Sequence, residues 1–255
     1  MHVRRWLWLV PAAFAASLAG TAPAQSQTHG CGPRGYAYAG LEARQTAYGV
    51  AATLAATTNP DVQRGHVAGW IGVGSSNQGP GGTHEWLQVG LNTIPGSGGN
   101  LYYEVAQPWG IRYVPIQSGI PAGHEVSVAV LEIAHRRSVW RVWVDKRPAS
   151  PPIWLPHSHG VLTPMAIAES WDGGAPACNR YAYRFAGVTL AGSPGGSWVR
   201  FRLRDGYVLH DPGYRVVPAL AGGFVAAAAS STPFGSPTAQ ISNRPSRTVA
   251  AVPRP

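Results

Sequence analysis

Apolar and polar positions alternate in short runs along much of the chain, and segments rich in glycine and proline separate these runs. A period of two is typical of β-strands with one buried face, while glycine and proline favour the turns between strands. Roughly ten such runs at close spacing predict an all-β fold in which antiparallel strands form a two-sheet sandwich. The 32 Gly and 23 Pro among 255 residues fit this class because each short strand must end in a turn.

Two of these runs combine an apolar face with a second face that carries tryptophan. In residues 83–91, Trp86 and Gln88 lie opposite a face of alternating leucine and valine. In residues 69–74, Trp70 occupies a similar position beside glycines. Glycine leaves space, tryptophan can form a pocket wall, and a glutamine amide offers both a donor and an acceptor. These two strands therefore predict the floor of a cleft.

A third run, residues 164–174, carries a carboxylate within an apolar strand. Glu169 shares one strand face with Ile167 and Trp171, and a pair of glycines ends the run. A carboxyl group that loses hydration between apolar neighbours suits acid–base chemistry. The alternative is a glutamate at a strand end that reaches into water, and the strand by itself leaves both interpretations open.

The order and spacing of these motifs resemble the eqolisin, or glutamic-peptidase, family, and in particular its bacterial-type members. The motifs are Trp-x-Gly at Trp70, Leu-Gln-x-Gly at Gln88 and a later strand that contains Glu169. The similarity extends over residues 36–188. It implies a concanavalin A-like sandwich with a concave cleft, in which Gln88 and Glu169 are the catalytic residues.

The same resemblance implies a reaction for this pair. Glu169, as a carboxylate, would take a proton from the water that attacks the peptide carbonyl and would return a proton to the leaving amine. The Gln88 amide would orient that water and donate a hydrogen bond to the developing oxyanion. The expected function is that of a secreted acid endopeptidase that acts on polypeptides. The alternative is a non-catalytic module that binds a glycan or a peptide in the same cleft.

Four further residues are candidates for substrate binding. Trp70, Trp86 and Trp171 would line the pocket, although Trp70 could equally be a filler of the core. Glu104 shares a strand face with Tyr102 and is either a cleft residue or a solvated residue of its strand.

Other hydrolytic sites and a metal centre receive little support from the sequence. The chain lacks Gly-x-Ser-x-Gly, His-Glu-x-x-His and Asp-Thr-Gly motifs. His157 and His159 share a face if their segment is extended, and such a pair can bind zinc, but no third ligand is apparent nearby. We therefore expect neither a metal nor a cofactor.

The N-terminal residues 1–24 have the charged start, apolar run and small-residue cleavage site of a secretory signal peptide. The apolar run is shorter than the roughly 18 residues that a membrane span requires, and no later stretch is long enough. We expect a secreted or periplasmic mature chain without a membrane span. In that oxidising compartment Cys31 and Cys178 can form one disulfide, and two free thiols are the alternative.

The sandwich domain is expected to occupy residues 25–218. From Ala219 onward alanine, serine, proline and glycine dominate, so residues 219–255 predict a low-complexity tail that is disordered or loosely attached. The net charge is +9, and loss of Arg4 and Arg5 with the signal lowers it to +7. Because the basic residues are thinly spread, we expect attraction to acidic polymers or anionic surfaces, no nucleic-acid partner and a monomer.

Overall fold

The computed structural model describes residues 35–75, 77, 79–171, 178–219, 222–229 and 231. The predicted signal peptide, Cys31 and residues 232–255 lie outside the described residues. Export and the Cys31–Cys178 disulfide therefore stay predictions. Within the described ranges, no helix has both the length and the apolar composition needed to cross a membrane.

Strands make up nearly all the regular structure of the described residues, which also include two short 3-10 turns, Pro80–Gly82 and Leu203–Asp205. The strands are β1 (Tyr36–Ala43), β2 (Gly49–Ala56), β3 (Asp61–Val62), β4 (His66–Ser75), β5 (Glu85–Thr93), β6 (Gly99–Gln107), β7 (Gly110–Ile120), β8 (Val126–Glu132), β9 (Val139–Val144), β10 (Arg147–Pro148), β11 (Ile153–Trp154), β12 (Pro164–Trp171), β13 (Asn179–Arg180), β14 (Ala182–Ser193), β15 (Gly196–Arg200), β16 (Gly206–His210), β17 (Tyr214–Pro218) and β18 (Phe224–Ala228).

Two large antiparallel sheets contain most of these strands. The seven-stranded sheet has the order β16-β1-β12-β4-β5-β6-β7. The nine-stranded sheet has the main path β10-β9-β8-β2-β14-β18-β17, with β11 paired to β9 and β15 paired to β14. Side chains from both sheets meet in one buried cluster, which places the sheets face to face. The predicted antiparallel two-sheet sandwich is confirmed.

The period-two pattern decides which face of each strand enters this core. In β5, the side chains of Leu87, Val89 and Leu91 are buried in the cluster between the sheets. Burial of a side chain of this size contributes about 1.5–3 kcal/mol relative to exposure, so a one-residue slip of the register is strongly disfavoured. The same register turns the alternate residues, including Gln88, to the outer face of the seven-stranded sheet.

The sandwich continues beyond residue 218. The prediction of a disordered or loosely attached tail from Ala219 is wrong for β18, which is part of the nine-stranded sheet. Strand β18 lies between β14 and β17, and its Phe224 ring stacks on Phe185 with the centroids 4.7 Å apart. The alanines of β18 suggest low complexity, but they are buried, and Ala228 pairs with Tyr214 of β17. Small side chains fit where neighbouring strands supply large ones.

Candidate active site

Gln88 and Glu169 lie on the same outer face of the seven-stranded sheet. Strand β4 runs between β5 and β12 and relates the two residues, since Gln88 pairs with Gly72 and Glu169 pairs with Ala68. Paired residues share a sheet face, and Ala68 and Gly72 are four positions apart, which is an even number. The structure thus brings the predicted amide and carboxylate onto one surface. They are also buried, with 6% and 4% of their surface exposed.

The two side chains are not hydrogen-bonded to each other within the described part of the chain. Four residues along β4 correspond to about 13 Å, and two strand spacings correspond to about 10 Å. Trp70 lies on the diagonal between them, because it pairs with Ile167 of β12 and with Gly90 of β5. The long side chains cover only part of this diagonal, so the space between them suits a bound group better than a direct contact.

The carboxylate of Glu169 has a histidine neighbour that the sequence analysis missed. His66 Nε2 lies 3.4 Å from Glu169 Oε1, at the long end of the hydrogen-bond range. The imidazole also stacks on Trp171, with ring centroids 5.7 Å apart and an interplanar angle of 20°. Trp171 and His66 are paired residues of β12 and β4, which explains the stacking. Glu169 is therefore held at one end of the cleft beside an aromatic pair.

The amide of Gln88 is positioned by a tyrosine that the sequence analysis also left unassigned. Gln88 Nε2 donates a hydrogen bond to the Tyr102 hydroxyl at 3.3 Å, and Tyr102 is itself buried. The Tyr102 ring stacks on Tyr113 of β7, with centroids 5.0 Å apart. Asn92 Nδ2 donates in turn to the Tyr113 hydroxyl at 3.1 Å. Gln88 thus lies at the end of a chain of hydrogen bonds and stacked rings.

Tyr102 also couples electrostatically to both candidate carboxylates. Burial raises the pKa of its hydroxyl well above the usual value, and the negative charges of Glu169 and Glu104 raise this pKa further. The hydrogen bond from Gln88 lowers the pKa in part. The phenol consequently stays protonated, and its proton remains available for donation toward the cleft.

Glycines in β4 and β5 allow the close packing that the sequence suggested. A Cβ atom at Gly90 would lie 2.6 Å from Trp70 Cβ, and one at Gly72 would lie 2.9 Å from Gln88 Cβ. Both distances are shorter than real contacts between such atoms. Any larger residue at either position would displace Trp70 or Gln88, so the glycines help to position the site.

The three predicted tryptophans lie on the outer face, with different surroundings. Trp70 and Trp86 are buried, whereas Trp171 is 40% exposed. Trp70 packs with Tyr102 and Ile167 in a small apolar cluster on the outer face of the seven-stranded sheet, where the sequence predicts a cleft floor. It does not belong to the core between the sheets. Its indole Nε1 is buried and has no hydrogen-bond partner among the described residues.

Glu104 lies on the cleft face beside Gln88, with which it is paired across β5 and β6. Its side chain is half-buried, and its charge acts on Tyr102 and on Tyr113, whose pKa is raised mainly by burial. Glu104 thus shares the face of Gln88, as the cleft interpretation requires, and a role in substrate binding stays a prediction.

The histidines considered as zinc ligands and the cysteines are not part of this site. His159 Nδ1 lies 2.8 Å from Glu132 Oε1, at the nine-stranded sheet. Among the described residues, no group of three or more histidine, cysteine, aspartate or glutamate side chains is arranged to bind a metal ion. Cys178 is buried after β12, but its predicted partner Cys31 lies outside the described residues.

The chain resembles known proteins in its three-dimensional structure. No protein-family model and no curated protein matches the chain. A Scytalido-glutamic peptidase structure with a peptide-based transition-state analog aligns with a TM-score of 0.52 and 12% identity, covering 76% of this chain and 97% of that chain. A second structure of that enzyme, with a transition-state analog inhibitor, aligns with a TM-score of 0.50 and 14% identity, covering 76% of this chain and 98% of that chain.

A structure of SCP-B, a member of the eqolisin family in complex with the tripeptide Ala-Ile-His, has a TM-score of 0.46 and 12% identity over 76% and 97% of the two chains. At these identities, the two Scytalido-glutamic peptidase structures establish the architecture alone. The expected family resemblance is confirmed at that level: this chain has an eqolisin-like fold, the fold of the glutamic peptidases.

Proposed function

We propose that the chain is an acid endopeptidase in which Glu169 and Gln88 act on a peptide group bound between them. The observation that carries the proposal is the placement of a buried carboxylate and a buried amide on one face of the seven-stranded sheet, in a fold shared with glutamic peptidases. Scytalido-glutamic peptidase binds a peptide-based transition-state analog. We extend that substrate class, polypeptides, to this chain.

Glu169 acts first as a general base. As a carboxylate it takes a proton from a water molecule, and the resulting hydroxide attacks the carbonyl carbon of the scissile peptide bond. The protonated Glu169 then gives its proton to the leaving amine, and the C–N bond breaks. Proton transfer of this kind contributes typically 10²–10⁴-fold to a rate. His66, 3.4 Å from the carboxylate, restricts the orientation of Glu169 during both steps.

Gln88 stabilises the oxygen that becomes negative. Its amide donates a hydrogen bond to the carbonyl oxygen and also orients the attacking water. A carboxylate, a water, a carbonyl group and an amide in sequence span roughly 8 Å, and a peptide group bound above Trp70 would lie along the diagonal between the two side chains. The Tyr102 hydroxyl holds the amide by accepting a hydrogen bond from its N–H group.

Cleavage kinetics on a denatured protein substrate provide the test. We expect Glu169→Gln to lower peptide cleavage at acidic pH by at least about 10²-fold, and Gln88→Ala to lower it by about 10²–10³-fold, with the fold retained. Unchanged turnover in either variant would remove that residue from the mechanism.

A non-catalytic binding module is the competing function, because Trp70 and Trp86 lie on the same outer face as Gln88. That alternative predicts no cleavage of denatured protein at any pH, together with loss of glycan or peptide binding when either tryptophan is replaced by alanine. Binding measured by calorimetry beside the cleavage assay separates the two functions. Secretion, which an acid endopeptidase of this kind would need, is tested by N-terminal sequencing of the exported chain.

A further inference from the structure

An exposed pair of tryptophans lies at one edge of the sandwich, outside the cleft floor. Trp109 and Trp154 are 63% and 55% exposed, and their rings stack with centroids 5.8 Å apart at an angle of 28°. Trp109 lies in the tight turn between β6 and β7, and Trp154 lies on β11 of the other sheet. Gln107 Nε2 donates to the Trp154 carbonyl at 2.7 Å and links the two elements. The tryptophan pair therefore has a defined arrangement.

Strand β7 continues this exposed apolar surface toward the cleft. Ile111 and Tyr113 are 48% and 44% exposed, and they pair with Ala106 and Glu104 on the cleft side of β6. Tyr113 contacts the proposed site through its stacking on Tyr102, whose hydroxyl is the partner of Gln88. The exposed residues of β7 and the candidate active site thus form one continuous surface.

The outer edge of β7 can also accept another strand. Among the described strands, β7 is the last of its sheet and pairs with β6 alone. Residues 110–114 pair in regular register, whereas the later half of β7 contains Pro115 and two register shifts. Proline and irregular pairing are devices that keep an edge from recruiting strands. The first half lacks both devices, and Arg112 is its one charged residue.

We propose that residues 110–114, together with Trp109 and Trp154, bind an extended segment of polypeptide that adds to the edge of the sheet and carries large apolar side chains at alternate positions. The surface would extend the substrate cleft, so this inference rests on the proposed peptidase function. An unfolded polypeptide is the occupant that fits, because its main chain supplies donors and acceptors for the free edge. Its alternate side chains would meet Ile111 and Tyr113.

Calorimetric binding to the full chain carrying Glu169→Gln tests the inference without cleavage. The probes are an octapeptide of alternating threonine and phenylalanine and a peptide of the same composition with the four phenylalanines together. We expect the alternating peptide to bind at least about tenfold more tightly, and Trp109→Ala or Ile111→Ser to weaken it about tenfold. Trp198→Ala is the matched control, since Trp198 is an exposed tryptophan of β15 in the other sheet and its loss should change the Kd less than about twofold.

N-methylation of the alternating peptide tests strand addition itself. Methyl groups on one alternate set of amides should abolish binding, while methyl groups on the other set should leave it nearly unchanged, because only one set faces the sheet edge. Equal binding of the two phenylalanine patterns, equal effects of both methylated sets, or equal effects of Trp109→Ala and Trp198→Ala would overturn the inference. Displacement of the peptide by chitohexaose would also overturn the inference. Self-association of the chain through β7 that displaces the peptide would overturn it as well.

The outcome is separable from that of the proposed function. Full cleavage activity in wild-type protein together with failure of the binding predictions would reject the β7 surface alone. Patterned binding without cleavage of any polypeptide would reject the peptidase and keep the surface.

Discussion

Two histidine–glutamate pairs among the described residues, one at each sheet, differ in their hydrogen-bond partners. In the nine-stranded sheet, Glu132 is fully buried, and its Oε1 lies 2.8 Å from His159 Nδ1 and accepts the Ser138 N–H at 2.6 Å. In the seven-stranded sheet, Glu169 lies on the cleft face, and its Oε1 has His66 at 3.4 Å. The chemistry of the side chains is alike, but the surroundings differ.

The Glu132 pair has the features of a structural element. Ser138 lies in the turn before β9 with φ of +61°, a conformation that few non-glycine residues adopt. The short bond from its N–H to Glu132 holds that turn, and the carboxylate is sealed from solvent. Glu169 has no backbone donor among its described partners and lies beside a cleft. Burial of a carboxylate therefore does not by itself indicate catalysis; the two sites differ in that Glu132 holds a backbone turn and Glu169 shares an outer sheet face with Gln88.

Exchange of each glutamate for glutamine should give the largest contrast. We expect Glu169→Gln to reduce acid cleavage at least about 10²-fold with little change in unfolding temperature, because the amide keeps the shape and loses the base. Glu132→Gln should leave kcat/KM within about threefold, since Glu132 is remote from the cleft. Parallel kinetics and thermal unfolding of the two variants provide the measurement. Comparable activity losses in both variants would contradict the distinction between them.

The two glutamates should also differ in how much they contribute to the free energy of unfolding. We expect Glu132→Ala to lower the free energy of unfolding by about 2–3 kcal/mol, because the Ser138 N–H and the His159 ring lose a buried charged acceptor. Urea denaturation gives this value from the shift in midpoint at constant slope. Arg204→Ala, which removes an exposed ion pair with Asp205, is the control and should change stability little.

A third carboxylate, Glu85, sharpens the comparison because it has no hydrogen-bonded or charged partner in the part of the chain that the structure describes. It lies at the start of β5, fully buried, and its two oxygens have no hydrogen-bond partner among the described residues. Burial raises the pKa of Glu85 from 4.5 to about 7. Since the folded pKa exceeds the unfolded one, its contribution to stability is complete below pH 4.5 and is lost as pH rises toward 7.

Glu85→Gln should therefore stabilise the protein above neutral pH by about 3 kcal/mol and should have little effect near pH 4. Thermal unfolding of both proteins from acidic to alkaline pH measures the difference. A constant difference across that range would show that ionisation of Glu85 does not contribute.

The smallest expected effect concerns the tyrosine that positions Gln88. Tyr102→Phe removes the acceptor of the Gln88 amide while the ring can still stack on Tyr113. We expect kcat to fall about tenfold with KM nearly unchanged, because a less restricted amide stabilises the oxyanion less well. Tyr103→Phe, on the core face of the same strand, is the control and should leave kcat unaltered. A larger change in KM than in kcat would argue against the positioning role.

The strand pattern and the two central side chains were predictable because they depend on local alternation. Once β5 buries Leu87 and Val89, Gln88 must lie on the opposite face, and the same logic places Glu169 in β12. His66 was missed because its contact with Glu169 depends on the register between β4 and β12, which single-strand patterns do not encode.

Two other features depended on tertiary context. The Tyr102–Gln88 bond requires the pairing of β5 with β6, although the shared face of Tyr102 and Glu104 was a usable signal for it. The alanine-rich sequence of β18 predicts a tail because alanine has weak strand propensity. Its burial arises from the stacking of Phe224 on Phe185, a contact that joins distant parts of the chain.

Digestion of acid-denatured haemoglobin by the purified mature chain tests the central claim most directly. We expect new peptide fragments between about pH 2 and 5 that are nearly absent with Glu169→Gln and are retained with Glu132→Gln. No fragments from the wild-type chain over that range, or undiminished digestion by Glu169→Gln, would contradict it.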